Sequence, residues 1–130
     1  MEAPRVISEH QVIYCDTDCG GVVSNIAYLR FVEAARVKLG EALGFSLETQ
    51  AERGEWITVV RTEIDYKRGA KLGQQLQVSA TVGEVDRVRF WAEFEIRHGD
   101  NLIANARQQL AIVKLPEGKP LRVPDKWKES

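Results

Sequence analysis

Gln75-Leu76-Gln77-Val78-Ser79-Ala80-Thr81-Val82 places an apolar residue at every second position. A period of two belongs to a strand, in which successive side chains point to opposite faces. Leu76, Val78, Ala80 and Val82 therefore share one face, while Gln75, Gln77, Ser79 and Thr81 share the other. The pattern recurs downstream, where Val88, Phe90, Ala92, Phe94 and Ile96 alternate with Arg89, Glu93, Glu95 and Arg97. Alternation of this kind predicts antiparallel strands with one buried face. Trp91 breaks the polar face of its strand, a hint that this face is covered as well.

Further strands are expected at Trp56–Tyr66 and Leu102–Leu115, with turns at Gly69 to Gly73, Val85-Asp86-Arg87 and Gly99-Asp100-Asn101. Before Trp56 the period changes. Tyr28, Phe31, Val32, Ala35, Leu39 and Ala42 recur at three- and four-residue spacing, which puts them on one side of a long helix. Ser24 or Asn25 is a natural N-cap and Gly44 a natural stop, although Gly40 weakens the last turn. A short helix is expected at Leu47 to Arg53, and a first strand at Val6 to Tyr14. The order is strand, long helix, four strands. One helix covering one face of an antiparallel sheet is an α+β domain.

The chain has 130 residues, enough for one domain, with a core at about 6–115 and a proline-punctuated tail at 116–130 carrying Trp127. Hydrophobic residues make up 44% and charged residues 28%, which excludes a disordered or collagen-like chain. No segment approaches the roughly 20 apolar residues of a membrane-spanning helix. Met1 to Arg5 shows no basic segment leading into an apolar core, so a cytoplasmic location is the expectation. A formal net charge of −1 gives no overall pull on nucleic acid. Cys15 and Cys19 are expected as reduced, buried or half-buried thiols. Cys15-Asp16-Thr17-Asp18-Cys19 holds four possible metal ligands, but there is no second cysteine pair, and His10 and His98 each stand alone; no metal is expected.

The segment from Tyr14 to Tyr28 can carry chemistry. It sets carboxylates on a glycine-flanked loop directly before a helix start. The first N–H groups of a helix have no partner inside it and carry partial positive charge, so they bind anions or a developing oxyanion. A base or nucleophile beside such an N–H makes a workable acyl-transfer site. An Asx-turn followed by a capped helix would account for the same residues without chemistry.

Tyr14-x-Asp16-x-Asp18-x-x-Gly21-x-Val23, Tyr28 and Glu33-Ala34-Ala35-Arg36 resemble the hotdog-fold acyl-CoA thioesterases, in particular the 4-hydroxybenzoyl-CoA thioesterase type with its Tol–Pal-associated members. Glu63-Ile64-Asp65-Tyr66-x-Arg68-x-Ala70-x-Leu72-Gly73 continues the resemblance, which spans about residues 8 to 115. It implies a hotdog fold, with one long central helix wrapped by a five-stranded antiparallel sheet. It also implies hydrolysis of an acyl-CoA thioester without a metal or redox cofactor, by a homodimer or homotetramer. Carried over to this chain, Asp18 is the nucleophile or base and the Asn25 backbone N–H polarises the thioester carbonyl. Asp16 shapes the loop, and the active site lies between two subunits, with Tyr28 near the substrate and the partner contributing residues near Thr58 and Val59. Arg87 and Arg89, with Lys67, Arg68 and Lys71 behind them, are candidates for the coenzyme A phosphates.

Ser24-Asn25 departs from the aromatic and His or Pro of many relatives. A backbone N–H survives that change, a histidine side-chain role does not, and the acyl pocket changes shape. His10 or His98 as a catalytic base would suit a hotdog dehydratase or isomerase, and a hotdog module that binds acyl-CoA without turnover is the non-enzymatic alternative.

Overall fold

In a computed structural model, residues 4–128 are described. Strand β1 spans Arg5–Gln11, β2 Glu55–Tyr66, β3 Gln75–Val85, β4 Phe90–His98, β5 Asn101–Lys114 and the short β6 Lys119–Pro120. Helix α1 runs from Asn25 to Ala42 and α2 from Leu47 to Arg53. The antiparallel sheet has the order β1-β3-β4-β5-β2, with β6 added against β5. The sheet is thus six-stranded rather than five-stranded; β6 pairs at only two positions, too short to announce itself by alternation.

The alternation at 75–82 is realised residue by residue: Leu76, Val78, Ala80 and Val82 are buried and their neighbours are not. Phe90, Ala92, Phe94 and Ile96 continue the apolar layer on β4. Val88, expected in that strand, is exposed in the turn before it. The first strand stops at Gln11, and Tyr14–Asp16 forms a single 3-10 turn instead. Trp91 is half-buried beneath the Arg107 guanidinium, 4.1 Å from the ring centre, so its own chain covers part of it.

Ser24 caps α1, its hydroxyl accepting from the Ala27 N–H at 3.3 Å. Tyr28, Phe31, Val32, Ala35 and Leu39 are buried as their spacing requires, whereas Ala42 is exposed. Each such large side chain contributes roughly 1.5–3 kcal/mol by leaving water. Gly40 is not a weak point. A Cβ there would lie 3.1 Å from the Phe45 carbonyl oxygen, so glycine lets the chain fold back tightly after the helix. Phe45 and Phe90 then meet Trp127 edge-on, at 5.6 and 5.0 Å between ring centres, which seals this end of the core and ties down the tail.

The helix packs on β1, β3 and β4. A groove opens between α1 and the edge strand β2, with the exposed Ile26 and Leu29 on one side and Thr62, Ile64 and Tyr66 on the other; Val59 and Val60 of β2 are also exposed.

Candidate active site

The loop from Asp16 to Ser24 is a narrow hairpin held by backbone bonds. Thr17 and Val23 form an antiparallel bridge, the Asp18 N–H donates to the Val22 carbonyl at 3.0 Å, and the Ser24 N–H donates to the Asp16 carbonyl at 2.9 Å. Gly20 and Gly21 turn the hairpin with φ of 90° and 72°, a region that other residues enter at a cost. The hairpin is also fastened to the segment after β2: the Val23 N–H donates to the Ala70 carbonyl at 2.8 Å and the Leu72 N–H to the Gly21 carbonyl at 2.9 Å.

The two aspartates have opposite environments. Asp16 is buried; one of its carboxylate oxygens accepts from the Ile13 N–H at 3.0 Å and the other from the Arg30 guanidinium. Burial raises the Asp16 carboxyl, but the Ile13 and Arg30 donors and the Arg30 charge outweigh it and hold the group below its ordinary value. Asp18 is exposed, and among the described residues its carboxylate has no hydrogen-bond partner. One carboxylate is locked into the structure; the other is exposed and unpartnered among the described residues.

Asn25 is the first residue of α1, and its N–H has no acceptor within the helix. Two clefts meet there. One, of about 290 Å3, is lined by Val22, Val23, Asn25, Tyr28, Tyr66, Lys67, Arg68 and Gly69. The other, of about 360 Å3, runs along the groove between Ile26 and Leu29 of α1 and Thr62, Ile64 and Tyr66 of β2. Asn25 and Tyr66 belong to both. The arrangement offers a cationic mouth, an amide donor at the junction and a mostly apolar groove beyond it.

Other predicted positions fall in different places. Asp18 lines neither cleft in the single chain. Tyr28 is buried in the wall of the first cleft, and its hydroxyl accepts from the Ala70 N–H at 3.0 Å, so it acts as a brace. Thr58 and Val59 lie midway along β2, paired with Ala111 and Leu110 of β5. Arg87 and Arg89 are exposed at the β3–β4 turn, away from the walls of both clefts, whereas Lys67 and Arg68 are in the first. Cys15 and Cys19 are both exposed, contrary to the expected burial, because they lie on the outward side of the 3-10 turn and at the hairpin tip. Among the described residues no cluster of three or more His, Cys, Asp or Glu is placed to hold a metal ion. A concavity of about 420 Å3 on the opposite face of the sheet, among Glu63, Glu93, Glu95 and Arg107, contains none of the loop residues.

Two polar residues, Arg30 and Gln108, escape a pattern-based reading. Arg30, on the helix, is the partner of Asp16. Gln108 is fully buried and donates to Glu33 at 2.8 Å and to Thr62 at 3.2 Å, beside the second cleft. Glu33 is therefore more than half of a helix-surface pair with Arg36. The available signal was Gln108 itself, an amide at an inward position between Ala106 and Leu110. His10 is half-buried, stacks on Phe31 at 5.1 Å and bonds to the Ser8 hydroxyl at 2.6 Å.

A family model described as the thioesterase-like superfamily matches residues 14–130. An acyl-CoA thioesterase, YbgC, of Haemophilus influenzae is 35% identical over 119 residues, covering 91% of this chain and 88% of that protein. The crystal structure of a 1,4-dihydroxy-2-naphthoyl-CoA thioesterase from Synechocystis superposes with a TM-score of 0.83 at 27% identity, over 96% of this chain and 93% of the other. A DHNA-CoA thioesterase from Staphylococcus aureus gives a TM-score of 0.83 at 26% identity, over 91% of this chain and 80% of the other.

Proposed function

From the premise that the chain belongs to the thioesterase-like superfamily and is a thioester hydrolase, we propose that its substrate is an acyl-CoA and that Asp18 and the Asn25 N–H carry the reaction. The carrying observation is that an exposed carboxylate without a hydrogen-bond partner among the described residues, Asp18, and the open N-terminus of α1 are borne by one hydrogen-bonded hairpin. Asp18 attacks the thioester carbonyl or takes a proton from the attacking water. The carbonyl oxygen gains charge as the tetrahedral intermediate forms, and the Asn25 N–H donates to it. Collapse expels coenzyme A thiolate, which takes up a proton; on the base route the water oxygen stays with the acyl group as its carboxylate, and on the nucleophile route water then hydrolyses the acyl–Asp18 anhydride, giving the same carboxylate and restoring Asp18. A carboxylate and an amide donor suffice for this sequence, so no metal or redox cofactor is invoked.

A second copy of the chain completes the site. Among the described residues the outer edge of β2 has no strand beside it, and Thr62, Ile64 and Tyr66 of that strand border the groove at Ile26 and Leu29. An exposed edge of this kind invites pairing, and a two-fold axis across it would bring the partner's Thr58 and Val59 over the groove. That copy supplies the wall that Asp18 lacks in one chain. A tetramer would add contact through the opposite face of the sheet, where Trp91 and Arg107 lie. Lys67 and Arg68 at the cleft mouth are better placed than Arg87 and Arg89 of the same chain to meet coenzyme A phosphates. Coenzyme A esters also make the cytoplasm the site of action.

The test is release of free thiol from a panel of acyl-CoA esters by the wild type and by Asp18→Asn. Turnover by the wild type with loss in the variant supports the reading; comparable turnover by both refutes the role of Asp18.

A further inference from the structure

We propose that Arg30 is a positioning residue for catalysis, acting through Asp16 to fix the hairpin that presents Asp18; the inference rests on Asp18 being the reacting carboxylate. Asp16 is a four-way node. Its carboxylate oxygens accept from the Ile13 N–H and from Arg30, its carbonyl accepts from the Ser24 N–H and its own N–H donates to the Ile13 carbonyl. Through these bonds the chain before the hairpin, the helix cap after it and the second turn of α1 are tied at one buried point. Ser24 is adjacent to Asn25, so the same node sets where the amide donor stands relative to the rungs that bear Asp18.

Arg30 is the member that makes the node rigid. Its guanidinium is half-exposed and lies over the Phe31 ring, 4.9 Å from the centre, so its reach toward Asp16 is fixed by packing as well as by charge. Without Arg30, Asp16 would be a nearly buried carboxylate with one backbone donor. Burial of a charge is tolerated only when it is paired, so the carboxylate would turn toward water or take up a proton. Either response loosens the hairpin. A displacement of about 1 Å at a reacting group costs as much as about 100-fold in rate. Substrate affinity would change little, because Arg30 lines neither cleft.

The experiment compares the kinetics of Arg30→Met, Arg30→Lys, Asp16→Asn, Asp18→Asn and the Asp16→Asn/Arg30→Met double variant, with thermal stability and amide hydrogen exchange measured alongside. Arg30→Met is expected to lower kcat by about 10- to 100-fold at a temperature where it is fully folded, with KM within about twofold of wild type. Arg30→Lys, which keeps the charge, recovers most of that loss. The double variant is no slower than the slower single variant, because both break one contact. A lower melting temperature with wild-type kcat makes Arg30 merely structural and overturns the proposal, as do additive losses in the double variant. If Asp18→Asn keeps wild-type turnover, the catalytic reading fails instead, and amide exchange decides the clamp: faster exchange at Asp18, Gly21 and Ser24, whose N–H groups are bonded within the hairpin, in Arg30→Met upholds it, and unchanged protection refutes it.

Discussion

The two ends of α1 are built on different physics. Its C-terminal end is closed by apolar contacts: Leu39, Leu43 and Phe45 are buried, and Trp127 is clasped between Phe45 and Phe90. Its N-terminal end is held by directional polar contacts, the Ser24 cap, the Thr17–Val23 bridge and the Asp16–Arg30 pair, while Ile26 is left 82% exposed and two clefts open at Asn25. Apolar packing stabilises in proportion to area and tolerates variation in detail. Polar contacts add little net stability each but fix positions. The comparison sets an end capped by aromatic contacts against one where polar contacts hold the loop while an amide donor and an exposed carboxylate stay unpaired among the described residues.

The contrast is broken most severely at Trp127. Trp127→Ala removes the ring that both phenylalanines contact and should cost about 3–5 kcal/mol of stability in denaturant unfolding, with kcat of the folded fraction unchanged. Trp127→Phe should cost much less, because the indole Nε1 is buried without a hydrogen-bond partner and its removal releases a desolvation penalty. Loss of turnover in folded Trp127→Ala would mean that the two ends are not independent.

The mirror experiment is Asp18→Asn. It should lower kcat by about 100-fold or more, roughly 2.7 kcal/mol of barrier, with the unfolding midpoint unmoved because the side chain is exposed and unpartnered. A smaller perturbation is Ser24→Ala, which removes the cap at the reactive end. It should cost about 1 kcal/mol of stability and also raise KM or lower kcat, since the orphan N–H groups would lose their alignment.

The mildest effect is expected from pH. Burial first, and then the neighbouring Arg30 charge, lower His10 below its ordinary value, with Asp16 opposing. The native state thus binds this proton less readily than the unfolded chain. The contribution of His10 is therefore complete above about pH 6.5, the unfolded value, and declines as pH falls below it. Asp16 and Glu33, both held low in the fold, add a loss of stability that sets in below about pH 5 and grows as pH falls through their unfolded values. Melting temperature measured from pH 7.5 to 3 should show the two steps in that order. His10→Gln should flatten the upper step and Asp16→Asn the lower one.

Much of this was legible in the chain. Period two in 75–82 and in 90–96, against period 3.6 in 28–39, gives the layers directly, because which face of an element meets water is a local property. The Asp-x-Asp loop before a capped helix was legible for the same reason. What was not legible depends on contacts between distant residues. Asp16 and Asp18 look alike in sequence; Arg30, 14 residues away, makes one structural and leaves the other free. Cys15 and Cys19 read as buried small residues and are exposed, because a 3-10 turn replaces the end of the first strand.

The sequence by itself determined the α+β layering, the strand order along the chain, the helix start and the acidic loop before it, since each is written in the periodicity and caps of short segments. Only the tertiary structure decided that a groove opens between the start of α1 and Thr62, Ile64 and Tyr66 of β2, that Lys67 and Arg68 rather than Arg87 and Arg89 flank the Asn25 cleft, and that Gln108 is buried against Glu33. These outcomes follow from how far a helix reaches across a twisted sheet and from which charges meet once it has packed, and no local pattern encodes either.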